Sequence, residues 1–181
     1  GTTSKVYINN IERNSWTPSY TLTISGWNDF GISKRAGSNS GYVNGQISNC
    51  AVWDKALSSS QVSTLFNFGT PETAISFSPQ AWWKLDDQTA ITDYSGNGNT
   101  GTNNGATDAP GGVAVTPSWK IPSALPIPTV NYTSALSFDG SDYISVGSNN
   151  LGTSLTISAW VNLSSYGDIV LGGSNAAGSP N

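Results

Sequence analysis

The clearest strand in the sequence is the stretch Leu155-Thr156-Ile157-Ser158-Ala159-Trp160-Val161-Asn162-Leu163. Its odd-numbered positions hold only apolar side chains, and three of its four even-numbered positions hold Thr, Ser or Asn. Alternate side chains of a strand lie on opposite faces, so one face of this segment is apolar and suits a core. The pattern predicts a β-sheet protein.

Other segments with strand character occur along the rest of the chain. They lie at residues 5–10, 20–25, 30–32, 42–53, 82–85, 135–140, 143–146 and 168–171. In the longest of them, simple alternation predicts that Ile47 and Ala51 share one face and that Cys50 lies on the other. Several short strands between polar turns are typical of an all-β domain.

The composition excludes several protein classes. Gly, Ser, Thr and Asn make up almost half of the 181 residues, whereas charged residues make up 10%. Aromatic residues also make up 10%, and seven of them are Trp, which is too many for a disordered chain. Strong helix formers are few, and residues that suit strands and turns are many. We therefore expect an all-β fold.

The ionisable residues limit the chemistry. The chain has no histidine, which excludes a Ser-His-Asp triad and most zinc or copper sites. Its one cysteine, Cys50, allows neither an internal disulfide nor a CxxC metal site. Seven basic residues and a net charge of −4 give no patch for nucleic acid. No apolar run suits membrane insertion, and because Met is absent we expect a fragment or a processed product.

One short helix is expected. Ser58 and Gln61 have the spacing of a capping box, in which each side chain bonds a backbone N–H of the first turn. Leu65 and Phe66 lie on one face of this helix, and Gly69 is a natural stop. A single short helix on a β protein suits a cover over the surface of a sheet.

Several segments together carry a resemblance to a known family. In the second part of the chain they are Trp83-Lys84-Leu85-Asp86, Asp93-Tyr94-Ser95-Gly96-Asn97-Gly98-Asn99, Ala135-Leu136-Ser137-Phe138-Asp139-Gly140, Asp142-Tyr143-Ile144 and the opening of the strand quoted above. In the first part they are Val6-Tyr7-Ile8-Asn9 and the stretch from Gly45-Gln46-Ile47 to Trp53-Asp54-Lys55-Ala56-Leu57-Ser58. They resemble a laminin-G-like, or concanavalin A-like lectin-glucanase, domain. The resemblance implies a jelly-roll β-sandwich.

The order of these segments differs from that of the family. Residues 1–79 resemble the late half of one jelly roll, and residues 80–181 resemble the early half of the next, with a Pro-rich loop at 108–131 that we expect to have little regular structure. We expect the chain to span parts of two successive repeats of a longer polypeptide. The other interpretation is that the halves complement one another within or between chains, because a half jelly roll leaves open edges.

The loop at residues 93–101 is a candidate calcium site. Asp93 offers a carboxylate, and Asn97 and Asn99 offer amide oxygens, which are the kind of ligand that Ca²⁺ requires. The resemblance also implies calcium in rim loops, and Asp139 would add a carboxylate if the loops converge. The same residues equally suit a tight turn, in which Gly and Asn supply positive φ.

Four aromatic residues lie in or beside polar segments. They are Trp16, Trp27, Tyr42 and Tyr166. Exposed rings of this kind would stack on a sugar, whereas buried ones would be core residues with their polar atoms satisfied.

Catalysis by a glycoside hydrolase would need two carboxylates about 5–9 Å apart across one bond. The two glutamates, Glu12 and Glu72, lie far from any acidic cluster, and the adjacent Asp86 and Asp87 would point to opposite faces of a strand. We therefore expect a protein that is not an enzyme.

These observations predict a structural or adhesive repeat of a large extracellular, cell-surface or virion protein, such as a fibre, a tail or capsid decoration, or an adhesin. Its partners would be neighbouring copies or domains of the same assembly. The alternative, implied by the resemblance, is a calcium-assisted lectin-like module that binds cell-surface or other glycans. Fold class alone does not separate these functions.

Overall fold

The fold is that of a computed structural model, which describes residues 3–17, 27–34, 41–67, 75–109, 114–115, 130–131, 134–147, 154–164 and 171–175. Of residues 27–29, 114–115, 130–131 and 171–175 the backbone alone is described. The strands are β1 (Ser4–Ile8), β2 (Ile11–Trp16), β3 (Trp27–Ile32), β4 (Asn44–Trp53), β5 (Ala81–Trp83), β6 (Thr102–Asn104), β7 (Thr107–Asp108), β8 (Ala114–Val115), β9 (Val130–Asn131), β10 (Leu136–Asp139), β11 (Tyr143–Ser145), β12 (Thr156–Leu163) and β13 (Leu171–Asn175). The helix is α1 (Ser59–Phe66).

Two antiparallel sheets form the body of the protein. The β4 sheet has the order β12-β4-β10-β7, with β5 also paired to β4, and the β3 sheet has the order β13-β3-β11-β6. Both contribute to one core, whose residues include Phe30, Ile32 and Ile144 from the β3 sheet and Ile47, Trp83, Leu136 and Phe138 from the β4 sheet. The all-β fold is thus confirmed, with one short helix among the described residues, and the jelly-roll topology stays a prediction.

The β4 sheet combines strands from both parts of the chain. β4 pairs with β12 along one edge and with β5 and β10 along the other, and all three partners come from residues 80–181. The two parts therefore complement one another within this chain, which is the second interpretation given above. That residues 1–79 and 80–181 derive from successive jelly-roll repeats stays a prediction.

A β-bulge at Asn49 changes the faces of β4. The register with β12 shifts by one residue at this point, and Asn49 has a φ of 46°, in the left-handed region. Because β4 carries this extra residue, Ile47 and Cys50 both face the core between the sheets, while Ala51 packs on the outer face. The simple alternation expected for β4, with Ile47 and Ala51 on one face, is therefore wrong.

The apolar face of β12 packs against the core, as its alternation predicted. The residues involved are Leu155, Ile157, Ala159, Val161 and Leu163. On the opposite face, the ring of Trp160 stacks on the ring of Phe66 in α1, with centroids 6.0 Å apart. β12 thus contacts the core on one face and α1 on the other.

The helix α1 covers the outer face of the β4 sheet. Its capping box is confirmed, because the Ser58 hydroxyl accepts the N–H of Gln61 and the Gln61 side chain accepts the N–H of Ser58. The helix ends at Phe66, and Asn67, with a φ of 41°, is its C-cap; the expected stop, Gly69, lies outside the described residues. None of its residues is fully buried, as expected for a surface cover.

Other elements differ from expectation. β2 continues the first predicted strand into a hairpin, and the connecting residues Asn9 and Asn10 both have positive φ, as a tight two-residue turn requires. β8 and β9, of two residues each, pair across the Pro-rich segment at 108–131. Residues 110–113 and 116–129 lie outside the described residues, so the expectation of little regular structure there stays a prediction. The predicted strand at 20–25 lies outside the described residues.

Candidate functional site

The loop that follows β5 is organised by the carboxylate of Asp93, which is 9% exposed. Its Oδ1 atom accepts the backbone N–H groups of Trp82 and Ser95 at 3.1 and 2.9 Å. Its Oδ2 atom accepts the N–H of Asn99 at 2.8 Å. One side chain therefore ties β5 to both ends of the loop.

The protonation state of Asp93 follows from these bonds. Burial opposes ionisation and is the largest single influence on the pKa of this carboxyl. The hydrogen bonds from Ser95, Trp82 and Asn99 favour the carboxylate and together outweigh burial, so that its pKa lies below its usual range. Asp93 is therefore ionised at neutral pH, and its charge orders the loop.

Three side chains of this loop converge on the backbone carbonyl of Gln80. Ser95 Oγ, Asn97 Nδ2 and Asn99 Nδ2 donate to it at 3.1, 3.0 and 2.7 Å. Asn97 Nδ2 also lies 3.3 Å from the carbonyl oxygen of Pro79. These bonds fix the loop against the segment at residues 75–80, which leads into β5.

The segment at residues 75–80 has an unusual backbone conformation. Phe77 and Ser78 have φ values of 69° and 49°, and such values are strained for a bulky residue. The segment is anchored to the β4 sheet, since the indole N–H of Trp53 donates to the carbonyl of Ser76 at 3.2 Å. Strained residues of this kind concentrate at binding sites, which directs attention to the surface beside Phe77.

An open groove of about 590 Å³ lies between this segment and the loop. Its lining residues are Ile75, Phe77, Ser78, Pro79, Gln80, Trp82, Tyr94, Ser95 and Asn97. All of them are uncharged at neutral pH, and apolar or aromatic side chains alternate with amides and hydroxyls. The volume of this open groove falls within the range of small-molecule sites.

Tyr94 provides the exposed aromatic surface of the groove. It is 43% exposed, whereas Trp82 beside it is 5% exposed. The two ring centroids are 5.7 Å apart with planes tilted by 55°, and the Lys84 ammonium lies 4.2 Å from the centroid of Tyr94. Tyr94 is therefore partly exposed, and Trp82 and Lys84 fix the position of its ring.

The four predicted calcium ligands do not form one site. Asp139 in β10 pairs with Asn44 of β4. Asp93 forms a β-bridge with Trp83 of β5, and Trp83 pairs with Cys50 of β4. Six residues along β4 separate these positions, or roughly 20 Å at the rise of a strand. Asp139 instead accepts hydrogen bonds from the N–H and hydroxyl of Ser141, in the turn after β10.

The remaining three predicted ligands lie in one loop, but their polar atoms face protein donors and acceptors. The Asp93 carboxylate accepts three N–H groups, and Asn97 and Asn99 direct Nδ2 atoms, rather than oxygens, at the Gln80 carbonyl. Ca²⁺ prefers six to eight oxygen ligands. The arrangement does not fit calcium, and it is the arrangement of a braced turn. In the described part of the chain no group of three or more His, Cys, Asp or Glu residues could hold a metal ion.

Of the four aromatic residues predicted to bind sugar, Trp16 and Tyr42 have described side chains. Trp16 ends β2 and is 46% exposed, far along the chain from the groove. Tyr42 is half-buried, with its ring centroid 6.1 Å from that of Tyr143. Trp27 begins β3, where the backbone alone is described, and Tyr166 lies outside the described residues. Neither Trp16 nor Tyr42 lines the groove.

The sequence analysis missed the aromatic residues that do line the groove, which are Phe77, Trp82 and Tyr94. A signal existed for Tyr94, since Asp93-Tyr94-Ser95-Gly96 places an aromatic ring inside a polar turn. A turn offers a large ring less cover than a strand does, so exposure could have been expected there. Phe77 and Trp82 gave no such signal.

Comparison with known proteins gives no further guide to the site. No family model matches the chain, and neither a curated protein nor a solved structure matches it. The laminin-G-like resemblance therefore stays a prediction. Within the described residues, no helix combines the length and apolarity that crossing a membrane requires.

Proposed function

We propose that this chain is a non-enzymatic adhesive module of an extracellular, cell-surface or virion protein, and that it binds carbohydrate in the groove between residues 75–80 and 93–97. The observation that carries the proposal is the exposed ring of Tyr94, fixed beside the amides of Gln80 and Asn97. The resemblance to laminin-G-like, lectin-like domains supports the same function.

A sugar ring presents an apolar face of C–H groups and an edge of hydroxyls. Tyr94 offers a flat surface for the apolar face, and an aromatic side chain suits such contacts because it also has a polar end. The amides of Gln80 and Asn97 and the hydroxyls of Ser78 and Ser95 line the same groove, and these are polar groups of the kind that bind sugar hydroxyls. The groove thus combines both kinds of contact in one place.

A binding function is favoured over hydrolysis by the chemistry of the groove. Hydrolysis of a glycosidic bond uses two carboxyl groups that flank it. Among the described residues that line this groove there is no Asp or Glu, and the nearby Asp93 uses both of its oxygens to accept backbone N–H groups. The described lining therefore supports a proposal of binding rather than of hydrolysis.

The proposal is tested by measuring the binding of the purified chain to immobilised glycans, with Tyr94→Ala as the variant. We expect a retained glycan whose dissociation constant rises at least tenfold in the variant, or about 1.4 kcal/mol. Trp16→Ala, which also removes an exposed ring, is the matched control and should bind as the unaltered chain does. Loss of binding in Trp16→Ala with none in Tyr94→Ala would place the site on the hairpin instead.

A structural role through assembly is the second candidate, and a different observation favours it. The β1–β2 hairpin exposes Val6, Ile8, Ile11 and Trp16 by 40 to 53%, and Ile8 pairs directly with Ile11. Exposed apolar clusters of this kind mark surfaces that bind other proteins. Sedimentation of the chain and of the Ile8→Ser/Ile11→Ser variant tests this role: we expect self-association at high concentration that the variant loses.

A further inference from the structure

The sequence contains three Asn-Gly pairs, at residues 44–45, 97–98 and 104–105. In such a pair the backbone nitrogen of the glycine can attack the side-chain amide of the asparagine, because glycine has no Cβ to hinder the approach. The three pairs are the same dipeptide, so a difference in their reactivity comes from the fold. The space around each glycine is what separates them.

Gly45 and Gly105 are closely packed. Gly45 is a buried residue of β4, and a Cβ at this position would collide with the backbone carbonyl of Asn162 in β12. A Cβ at Gly105 would collide with the carboxylate of Asp142. Neither glycine has room for the backbone rotation that forming a ring with the asparagine requires.

Gly98 lies in open surroundings. Both Asn97 and Gly98 are exposed, and a Cβ at Gly98 would meet no atom within 4 Å. Among the described residues, no hydrogen bond uses the N–H of Gly98. The backbone here has both the room to rotate and a nitrogen that is available to the Asn97 amide.

The side-chain hydrogen bonds do not separate the three pairs. Each asparagine donates its Nδ2 to a backbone carbonyl: Asn44 to Asp139, Asn97 to Gln80 and Pro79, and Asn104 to Thr102. All three amides are therefore restrained in a similar way, and the packing of the glycine decides which pair reacts first.

We propose that Asn97 is a site of spontaneous deamidation and the fastest of the three Asn-Gly pairs in the folded protein. The Gly98 nitrogen attacks Cγ of Asn97, the Cγ–Nδ2 bond breaks, and ammonia leaves with the proton of the Gly98 N–H. Water then opens the cyclic imide at one of its two carbonyls and gives aspartate or isoaspartate. Water is the one co-reactant, and nothing is oxidised or reduced.

The reaction changes the groove. Asn97 Nδ2 donates to the carbonyls of Gln80 and Pro79 at 3.0 and 3.3 Å, whereas the product has a carboxylate oxygen, which accepts hydrogen bonds only and repels a carbonyl. The loop at 93–99 loses one of its bonds to residues 75–80, and the groove lining gains a negative charge. The groove of an aged molecule therefore differs from that of a new one.

The test is peptide mapping by mass spectrometry, with fragmentation to locate each change from amide to carboxyl. The folded chain is incubated for weeks at mildly alkaline pH beside the same chain unfolded in guanidinium chloride. In the folded chain we expect Asn97 to convert roughly tenfold faster than Asn44 or Asn104, which corresponds to a barrier lower by about 1.4 kcal/mol. In the unfolded chain the three pairs should convert at similar rates.

Two variants separate the reaction from its consequence. Asn97→Gln places the amide one methylene further from the Gly98 nitrogen and should abolish conversion at this position. Asn97→Asp reproduces the charge of the product and should lower the Tm by about 2–4 °C, the shift expected for one lost hydrogen bond in a chain of this length. Asn14→Asp adds the same charge on the exposed hairpin and is the matched control, whose Tm should be unchanged.

Three outcomes would overturn the inference. The first is conversion of Asn44 or Asn104 as fast as that of Asn97 in the folded chain. The second is conversion of Asn97 in the unfolded chain with none in the folded one. The third, a Tm of Asn97→Asp equal to that of the unaltered chain, would show that the product leaves the loop in place. All three are independent of glycan binding, so they leave the proposed function untouched.

Discussion

Asp93 shows how one side chain can shape a surface that it does not line. Its carboxylate accepts N–H groups from β5 and from Ser95 and Asn99 of the following loop. Asn97 lies between these two loop positions, and Tyr94 directly precedes the first. Because a buried carboxylate needs such partners to stay ionised, the loop and the charge stabilise each other. The position of the groove's aromatic ring therefore depends on an ionised Asp93.

This dependence predicts an acid-sensitive contribution to stability. The pKa of Asp93 is lower in the folded state than the value of about 3.9 for an unfolded Asp, so its contribution is complete above that value. It is lost as the pH falls through the folded-state pKa. Asp93→Asn should cost about 1–3 kcal/mol at pH 7, because an amide cannot accept all three N–H groups. Urea unfolding at pH 7 and pH 3 measures this cost at each pH.

The two proteins should approach each other in stability as the pH is lowered to 3, since the unaltered chain then begins to lose the carboxylate's contribution, which the variant lacks at every pH. Other acidic groups titrate equally in the two proteins and cancel in the comparison. An equal difference between them at both pH values would show that Asp93 does not act through its charge.

At the scale of elements, the bulge in β4 decides which residues reach the core. One additional residue at Asn49 rotates the strand, so that Ile47 and Cys50 point to the same side. Two hydrogen bonds of Asn49 stabilise the bulge. Its N–H donates to the Lys84 carbonyl at 3.0 Å, and its side-chain oxygen accepts the Trp82 indole N–H at 3.3 Å. The bulge thereby also links β4 to the strand that leads to the groove.

The bulge predicts an order of stability for two substitutions of Asn49. Ala and Gly both lose the bond from the Trp82 indole, but only Ala has a Cβ that is strained at a φ of 46°. We expect Asn49→Ala to be less stable than Asn49→Gly by about 1 kcal/mol in urea unfolding. If Asn49→Ala equals or exceeds Asn49→Gly in stability, the left-handed conformation at this position is not retained in solution.

At the scale of the whole molecule, the two parts of the chain share one core. β4 is the centre of this arrangement, since its two edges pair with strands from the second part. Cys50 lies on β4 and is fully buried, and burial raises the pKa of its thiol to about 12. A thiol reagent at mildly alkaline pH should therefore react with Cys50 only when the core opens.

The labelling rate of Cys50 then reports whether the two parts open together. Ile144→Val removes one buried methylene from the second part and typically costs 0.5–1.5 kcal/mol, so it should speed labelling of Cys50 roughly 2- to 12-fold. Ile11→Val makes the same change on the exposed hairpin and should leave the rate unchanged. An unchanged rate in Ile144→Val would mean that the two parts open independently.

Local patterns predicted the elements that depend on local forces. The capping box of Ser58 and Gln61 and the alternation of β12 were both found as expected, because neighbouring residues supply the hydrogen bonds and the apolar face. Local patterns did not predict the rest of the site, because its contacts join residues that are far apart in the chain. The polar atoms of the loop at 93–99 bond to Gln80 and Trp82, more than ten residues earlier, so an oxygen-rich loop suggested a metal that its geometry does not fit.

The sequence by itself determined the all-β class, the one short helix and the apolar face of β12, since composition and periodicity act over a few residues. Only the tertiary structure decided that β4 would pair with β5, β10 and β12, that a bulge would place both Ile47 and Cys50 in the core, and that Tyr94 would lie exposed beside Gln80. The physical reason is that strand pairing and groove formation join residues that are distant in the chain. Their free energy depends on contacts that no local pattern contains.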